Sequence, residues 1–174
     1  MTHTTTLATV ATLLLSSLPA MADRMPTPTN APPAFKAECG SCHLAFPPAL
    51  LSAEDWRRVM AGLDKHYGDN AALDEPVRKQ IEDLLVKNAG SGRRTAGAGR
   101  DPSQLPRMTA TDWFRKEHRE VPAATWKDKR VSSAANCGAC HTRADTGSFS
   151  EREIKMPGSS GSAGSAGGKR HDDD

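Results

Sequence analysis

Two copies of the motif C-x-x-C-H constrain this sequence most strongly, and together they contain all four of its cysteines. The first copy reads CGSCH at 39–43 and the second reads CGACH at 137–141. Because residues three apart share one face of a helix, the two thiols of each copy can bind neighbouring points on one group. The histidine that follows can then coordinate a metal at the centre of that group.

This spacing is the attachment signature of c-type haem, whose porphyrin edge forms thioether bonds with the two cysteines. We therefore predict two haem c groups, with a proximal histidine ligand for each iron. The residues predicted to attach and coordinate the haems are Cys39, Cys42, His43, Cys137, Cys140 and His141.

Three other uses of paired cysteines compete with haem attachment. The two pairs could together form one four-thiolate zinc site, or each could be a redox dithiol or a structural disulfide. The pairs lie far apart in the chain, and each is followed by a histidine, which argues against zinc. A thioredoxin-like dithiol would need a βαβ background, and the sequence does not predict one.

The second axial position of each iron decides between an electron carrier and an enzyme. Four histidines lie outside the motifs: His3, His66, His118 and His171. The first falls in a predicted leader and the last in a predicted tail, so we predict His66 and His118 as the distal ligands. The first choice pairs His43 with His66 and His118 with His141, and the opposite pairing stays open.

Methionine is the rival distal ligand. The candidates beyond the leader are Met25, Met60, Met108 and Met156. Met60 shares an apolar helix face with Trp56, so core packing explains it better than iron binding. Met108 and Met156 lie in segments that could reach an iron, but the histidines are the stronger prediction.

The predicted fold is all-α: a small c-type cytochrome with short helices and long loops wrapped round two covalent haems. Apolar residues make up 37% of the chain, below the roughly 45–50% of globular domains. A haem would therefore supply part of the apolar surface that forms the core. Helices are predicted from Ser52 to near Gly62, over 74–88, and through TATDWFRKEH. A short one is predicted near Trp126, one through SSAANCGACHT, and a capping box at Ser150 and Glu153.

Composition divides the chain into five parts. Residues 1–22 have the apolar stretch and small-residue end of a signal peptide, and 158–174 have the Gly, Ser and charged composition of a disordered tail. The haem-binding halves are predicted at 23–89 and 107–157, joined by a flexible glycine-rich linker at 90–106.

Charge and motifs exclude several classes of function. A net charge of +2 without a basic stripe gives no reason to expect nucleic-acid binding, and no phosphate-binding glycine motif is present. The apolar stretch of the leader, from Leu7 to Leu18, is shorter than the roughly 20 residues that span a bilayer. We expect a soluble, exported monomer without a small-molecule substrate.

The chain resembles the dihaem cytochrome c family of bacterial periplasmic electron carriers, from about Phe35 to Pro157. The likeness depends on ECGSCHLAF and NCGACH together with the distal histidines in DKHYGDN and KEHREVP. It implies two bis-histidine haems of low potential. It also implies a periplasmic haem protein as electron acceptor, often a small oxygen-binding cytochrome, and a membrane b-type cytochrome as donor.

Two further functions compete with a free electron carrier. The chain could be a small electron-transfer subunit of a periplasmic reductase, or a peroxidase-like dihaem enzyme with one open haem. Dihaem peroxidases are longer, and no distal Arg/His pair can be identified here. We expect an electron carrier and not an enzyme.

Overall fold

The structure, a computed structural model, describes residues 24–158. Within that range it contains α-helices, short 3-10 turns and isolated bridges, and no β-strand. The all-α prediction is confirmed. The predicted signal peptide at 1–22 lies outside the described residues, as does the predicted tail from 159 onwards.

The described part of the chain contains five α-helices: α1 (Pro33–Cys39), α2 (Ala53–Ala61), α3 (Glu75–Lys87), α4 (Asp112–Glu117) and α5 (Ala123–Trp126). The caps of α2 and α4 explain where those helices begin. Ser52 Oγ accepts a hydrogen bond from Asp55 N at 3.1 Å, and Thr111 Oγ1 accepts one from Phe114 N at 3.0 Å. Each cap satisfies a backbone N–H that has no partner inside its helix.

Helix α1 was not among the predicted helices. It begins at Pro33, whose fixed φ suits a first helical position and whose missing N–H is no loss there. The helix ends at Cys39, so the first motif starts at a helix C-terminus. The second motif contains only one 3-10 turn, Cys137–Ala139, in place of the longer helix predicted through it.

The predicted capping box at Ser150 and Glu153 does not form. Ser150 precedes a 3-10 turn and makes no side-chain cap bond. The Glu153 carboxylate instead accepts hydrogen bonds from Ser148 Oγ at 2.6 Å and from Arg143 Nη1 at 2.8 Å. The acidic side chain therefore joins two loop segments beside the second motif and caps no helix.

The first half has its own apolar core, formed where α1, α2 and α3 meet. Its members include Phe35, Leu51, Trp56, Met60, Ile81 and Leu85. The Trp56 indole donates a hydrogen bond to Pro48 O at 2.7 Å, so its one polar atom is satisfied inside the core. Met60 is a core residue, as its helix face predicted.

The second half has far less buried apolar surface. Among its described residues, Val131 and Ala144 are the buried apolar side chains, and Thr111 and Ser148 are buried polar ones. Met25 adds to them from the other end of the described chain, since its side chain is buried and its N–H donates to Gly147 O at 2.8 Å. Most aromatic side chains of this half line a cavity instead.

The segment 90–106, predicted to be a flexible linker, is packed against the first half. Thr95, Ala98 and Pro106 are buried. The Arg58 guanidinium, on α2, donates to four backbone carbonyls of the segment, with the shortest bond at 2.7 Å. These acceptors are Gly99, Asp101, Pro102 and Gln104. One side chain therefore supplies hydrogen-bond donors to the carbonyls of a turn that has no regular secondary structure.

Replacing Arg58 by methionine keeps the apolar stem and removes all four bonds. We expect Arg58→Met to lower the free energy of unfolding by about 1–3 kcal/mol, the usual range for losing hydrogen bonds to a charged group. Limited proteolysis should then cut within 90–106 sooner than in the parent. Arg57→Met is the matched control, since Arg57 is exposed and makes none of these bonds. Equal effects of the two substitutions would contradict this role.

Tyr67 binds the C-terminal end of the same segment, at Pro106. Its hydroxyl donates to Pro106 O, and the Arg107 guanidinium lies 4.3 Å from its ring centre in a cation–π contact. Burial raises the phenol pKa above its ordinary value, while the positive charge of Arg107 opposes that rise. Burial is the larger effect, so the phenol is held in its neutral form.

Tyr67 is the one tyrosine of the chain, so its ionisation can be followed at the tyrosinate absorption band. We expect it to titrate above its usual pKa of about 10 in the folded protein and at a lower pH after denaturation. The neutral phenol therefore stabilises the fold below pH 10, and that contribution is lost as pH rises through the higher pKa. Arg107→Gln should raise the pKa further. Identical titrations of folded and denatured protein would contradict the prediction.

Candidate haem-binding sites

The first motif follows directly from α1. Cys39 ends that helix, and Ser41 Oγ donates to Glu38 O at 2.8 Å, which holds the turn between the cysteines. His43 Nδ1 lies 2.7 Å from Leu44 O. A carbonyl can only accept, so Nδ1 carries the proton and the lone pair of Nε2 is available to a metal.

His66 faces the first motif from a tight turn after α2. The next two residues have positive φ, 54° at Tyr67 and 113° at Gly68, and Asp69 N donates to His66 O at 3.1 Å. Glycine adopts this backbone readily, whereas it is unusual for a tyrosine, so the contacts of Tyr67 help to hold the turn. The turn places the His66 ring centre 6.2 Å from that of His43.

The second motif is held by backbone bonds on both sides. His141 N donates to Cys137 O at 2.8 Å, and Lys155 N donates to Cys140 O at 2.9 Å. The His141 ring contacts Phe149 with a centroid separation of 5.4 Å. The second cysteine and the histidine of the motif are therefore anchored to the chain that follows it.

His118 is the C-cap residue of α4, close to the helix end predicted for it. Its Nδ1 lies 2.9 Å from Phe114 O, and its ring stacks on the Phe114 ring at 4.0 Å. The bond to the carbonyl again places the proton on Nδ1 and leaves Nε2 free. The ring centre of His118 lies 6.1 Å from that of His141.

Both imidazole separations suit two histidines on one iron. A metal–nitrogen bond of about 2 Å on each side, with about 1.1 Å from nitrogen to ring centre, puts the ring centres roughly 6 Å apart. The observed 6.2 Å and 6.1 Å agree with that spacing. These residues fit the haem, although their assignment as ligands stays a prediction.

One histidine of each pair also has a buried nitrogen without a partner. The Nδ1 atoms of His66 and His141 are buried and make no hydrogen bond within the described chain. Burial of an unpaired polar atom is unfavourable, so such atoms mark sites where another group belongs. Binding of a metal by these imidazoles would be a physical reason to bury them without hydrogen-bond partners.

Burial keeps these side chains in their neutral forms. It lowers the pKa of His66 and of His141, with the opposite imidazole of each pair adding to the effect. It also raises the pKa of the Cys39 and Cys137 thiols to about 11. Neutral imidazole is the form that coordinates iron, so both sites suit metal binding at neutral pH.

A mostly apolar cavity of about 180 Å³ lies beside the second pair. Its walls include the aromatic side chains Trp113, Phe114, Trp126 and Phe149, together with Leu50 and Met108. Aromatic and aliphatic walls are suited to the faces of a porphyrin. Leu50 and Met108 also connect the cavity to the first half, because Leu50 precedes α2 and Met108 packs on the first core.

The rival metal and disulfide sites are absent from residues 24–158. No group of three or more His, Cys, Asp or Glu side chains in that range is placed to hold a metal ion, so the four-thiolate zinc site does not form. All four cysteines are free of disulfide bonds. Met25, Met108 and Met156 line the second cavity, yet His118 is the side chain that faces His141 across it.

The residues that orient the imidazoles were not predicted from the sequence. Phe46 stacks on His43 at 4.8 Å, Tyr67 meets His66 edge-on at 4.7 Å, and Phe149 contacts His141. Phe46 and Tyr67 lie within three positions of a predicted ligand, which is the signal that could have revealed them. Phe149 gives no such local signal, since it is distant from a ligand in sequence and the loop after the motif folds back to place it against His141.

Comparison with known proteins supports this interpretation of the two motifs. The family described as "Dihaem cytochrome c" matches residues 35–149. A diheme cytochrome c from Shewanella baltica, solved by X-ray crystallography, is 36% identical, with a TM-score of 0.62. The match covers 72% of this chain and 93% of that one.

A diheme cytochrome c from Rhodobacter sphaeroides is 40% identical, with a TM-score of 0.59 over 69% of this chain and 98% of that one. None of the curated proteins compared matches the chain. The family match extends over both motifs and both predicted distal histidines. The fold is therefore that of a small electron-transfer haem protein with two c-type haems and their iron, and the chain belongs to the dihaem cytochrome c family.

Proposed function

We propose that this protein is a monomeric periplasmic electron carrier that uses two bis-histidine haems to pass single electrons to a haem-protein partner. In this proposal the cysteines of the motifs form the thioether bonds. The iron ligands are His43 with His66 and His118 with His141. The observation that carries the proposal is the pair of imidazole separations, 6.2 Å and 6.1 Å, each suited to one iron.

When bound, each haem supplies reversible one-electron exchange between ferric and ferrous iron. The surrounding residues favour transfer over bond chemistry. With an imidazole bound on each side, the iron would have no free position for peroxide or oxygen. The hydrogen bonds from Nδ1 of His43 and of His118 to backbone carbonyls hold those two rings in place. Donation from Nδ1 to a carbonyl makes an imidazole more basic, which favours ferric iron and a low potential.

Contacts between the halves support electron exchange between the two sites. Leu50 and Met108 contribute to the wall of the second cavity, and Met108 also packs on the core of the first half. These contacts place one wall of the second cavity against the core of the first half. We propose that electrons cross this wall.

Charge supports a docking surface on the second half. In 107–157, lysine and arginine outnumber aspartate and glutamate, whereas the reverse holds in 23–89. Lys127 and Lys129 are exposed next to Trp126, which lines the second cavity. We propose that an acidic surface of the acceptor, a small oxygen-binding cytochrome, meets this half and that a membrane b-type cytochrome supplies the electrons.

Export to the periplasm is part of the same proposal. It is supported by the apolar leader and by the resemblance to exported carriers. Within residues 24–158, every helix is too short or too polar to cross a lipid bilayer. Cell fractionation of the producing organism tests this, with the haem-stained protein expected in the periplasmic fraction.

Removing a distal ligand should open one iron to solvent. We expect His66→Ala and His118→Ala each to convert one haem from low to high spin, detected by electron paramagnetic resonance of the oxidised protein. Each reduced variant should also bind carbon monoxide at one haem, whereas the parent should bind it at neither.

Lys65→Ala and Lys116→Ala serve as controls, because both side chains are exposed neighbours of those histidines. They should leave both haems low-spin. A parent protein with a high-spin haem, or with rapid carbon monoxide binding, would contradict the carrier function and favour a peroxidase-like enzyme. Co-purification with a molybdenum subunit would favour the reductase subunit.

Reversing charge on the second half should slow electron transfer to an acidic partner. At low salt we expect Lys127→Glu combined with Lys129→Glu to lower the second-order rate several-fold, measured by stopped flow with the purified oxygen-binding cytochrome. The difference should disappear at high salt, where charges are screened. Lys36→Glu, on an exposed face of α1, is the control, and an equal loss there would contradict docking on the second half.

A further inference from the structure

The two imidazole pairs have nearly the same separation but different relative orientations. His43 and His66 are close to parallel, with 21° between their ring planes. His118 and His141 are close to perpendicular, with 77° between theirs. The two sites use the same ligand types and the same motif, so the difference must come from the residues that hold the rings.

Phe114 holds the ring of His118 in two ways. The two rings stack with centroids 4.0 Å apart and 20° between their planes, which fixes the orientation of the imidazole plane. The Phe114 carbonyl also accepts a hydrogen bond from Nδ1 at 2.9 Å, which fixes the rotation of the ring. Phe114 is itself held by the Thr111 cap of α4.

The partner ring is held by a different contact. His141 meets Phe149 at 5.4 Å with 60° between the planes, so nothing there aligns it with His118. In the first site, His43 stacks on Phe46 with 26° between the planes, and His66 lies almost parallel to His43. A phenylalanine therefore stacks on one histidine of each pair, but the two imidazoles are nearly parallel in the first site and nearly perpendicular in the second.

Ring orientation has an electronic consequence once the histidines coordinate iron. Each imidazole donates π electron density to the iron d orbital perpendicular to its own plane. Parallel rings act on the same orbital and split the pair strongly, whereas perpendicular rings act on one orbital each and leave the pair nearly degenerate. In ferric low-spin haem, near degeneracy moves the largest g value upward.

We propose that Phe114 is a positioning residue that holds His118 crosswise to His141 and so makes the second haem electronically distinct from the first. This inference rests on the proposed histidine ligands. Trp126 also lies near His118, with ring centres 5.9 Å apart, but its plane is tilted by 56° and does not stack on the imidazole. The stacked ring of Phe114 would therefore give two chemically identical cofactors different electronic properties.

The test is electron paramagnetic resonance of the oxidised holoprotein. We expect two low-spin ferric signals, one rhombic and one with a distinctly larger maximum g value. Loss of the second signal in His118→Ala assigns it to the second haem. Phe114→Leu keeps the carbonyl and the apolar bulk but removes the stacked plane. It should shift the large-g signal to a lower maximum g value without forming a high-spin haem.

Three comparisons separate positioning from general damage. Phe114→Tyr retains a flat ring and should retain the large-g signal. Phe46→Leu, the matched change in the first site, should leave the large-g signal unmoved. If Phe114→Leu fails to accumulate with two haems, Phe114→Met is measured instead, since it also lacks a flat ring.

The outcomes distinguish this inference from the function on which it rests. Two rhombic low-spin signals in the parent would overturn the crosswise arrangement while leaving the bis-histidine carrier intact. A large-g signal unchanged in Phe114→Leu or Phe114→Met would overturn the role of Phe114. A high-spin haem in the parent would overturn the ligand assignment, and with it the carrier proposal.

Discussion

In each half of this chain two imidazoles lie at a separation that would suit coordination of one iron from both sides. Each pair joins a motif to a histidine from a separate segment, and the ring centres lie 6.2 Å and 6.1 Å apart. Coordination by both rings would close a long loop of backbone round the cofactor. Closing loops in this way limits the freedom of the unfolded chain, which helps a protein with little core of its own.

The halves depend on that closure to different degrees. In the first half, α1, α2 and α3 bury Phe35, Ile81 and Leu85 against one another, so part of the fold is complete without a cofactor. In the second half the aromatic side chains surround a cavity, and few apolar residues are buried. There the haem takes the place of a core, in agreement with the low apolar content of the sequence.

Local sequence rules predicted the parts of the fold that depend on local chemistry. Helix α2 begins directly after Ser52, and the histidines at 66 and 118 each face a motif histidine, because helix starts and motif spacing can be recognised in the sequence. The packing of 90–106 was not predicted, since its glycines indicate flexibility and Arg58 is distant in sequence. The angle between the imidazole planes was also beyond prediction, because it depends on aromatic contacts such as that of Phe114.

The bond from Met25 N to Gly147 O ties the beginning of the described chain to its last loops. Met25 also lines the second cavity, so a residue from before the first motif belongs spatially to the other half. The two sequence halves are consequently not two separable bodies. After a backbone cut between the halves, the contacts of Met25 with the second cavity and with Gly147 would still join the two pieces.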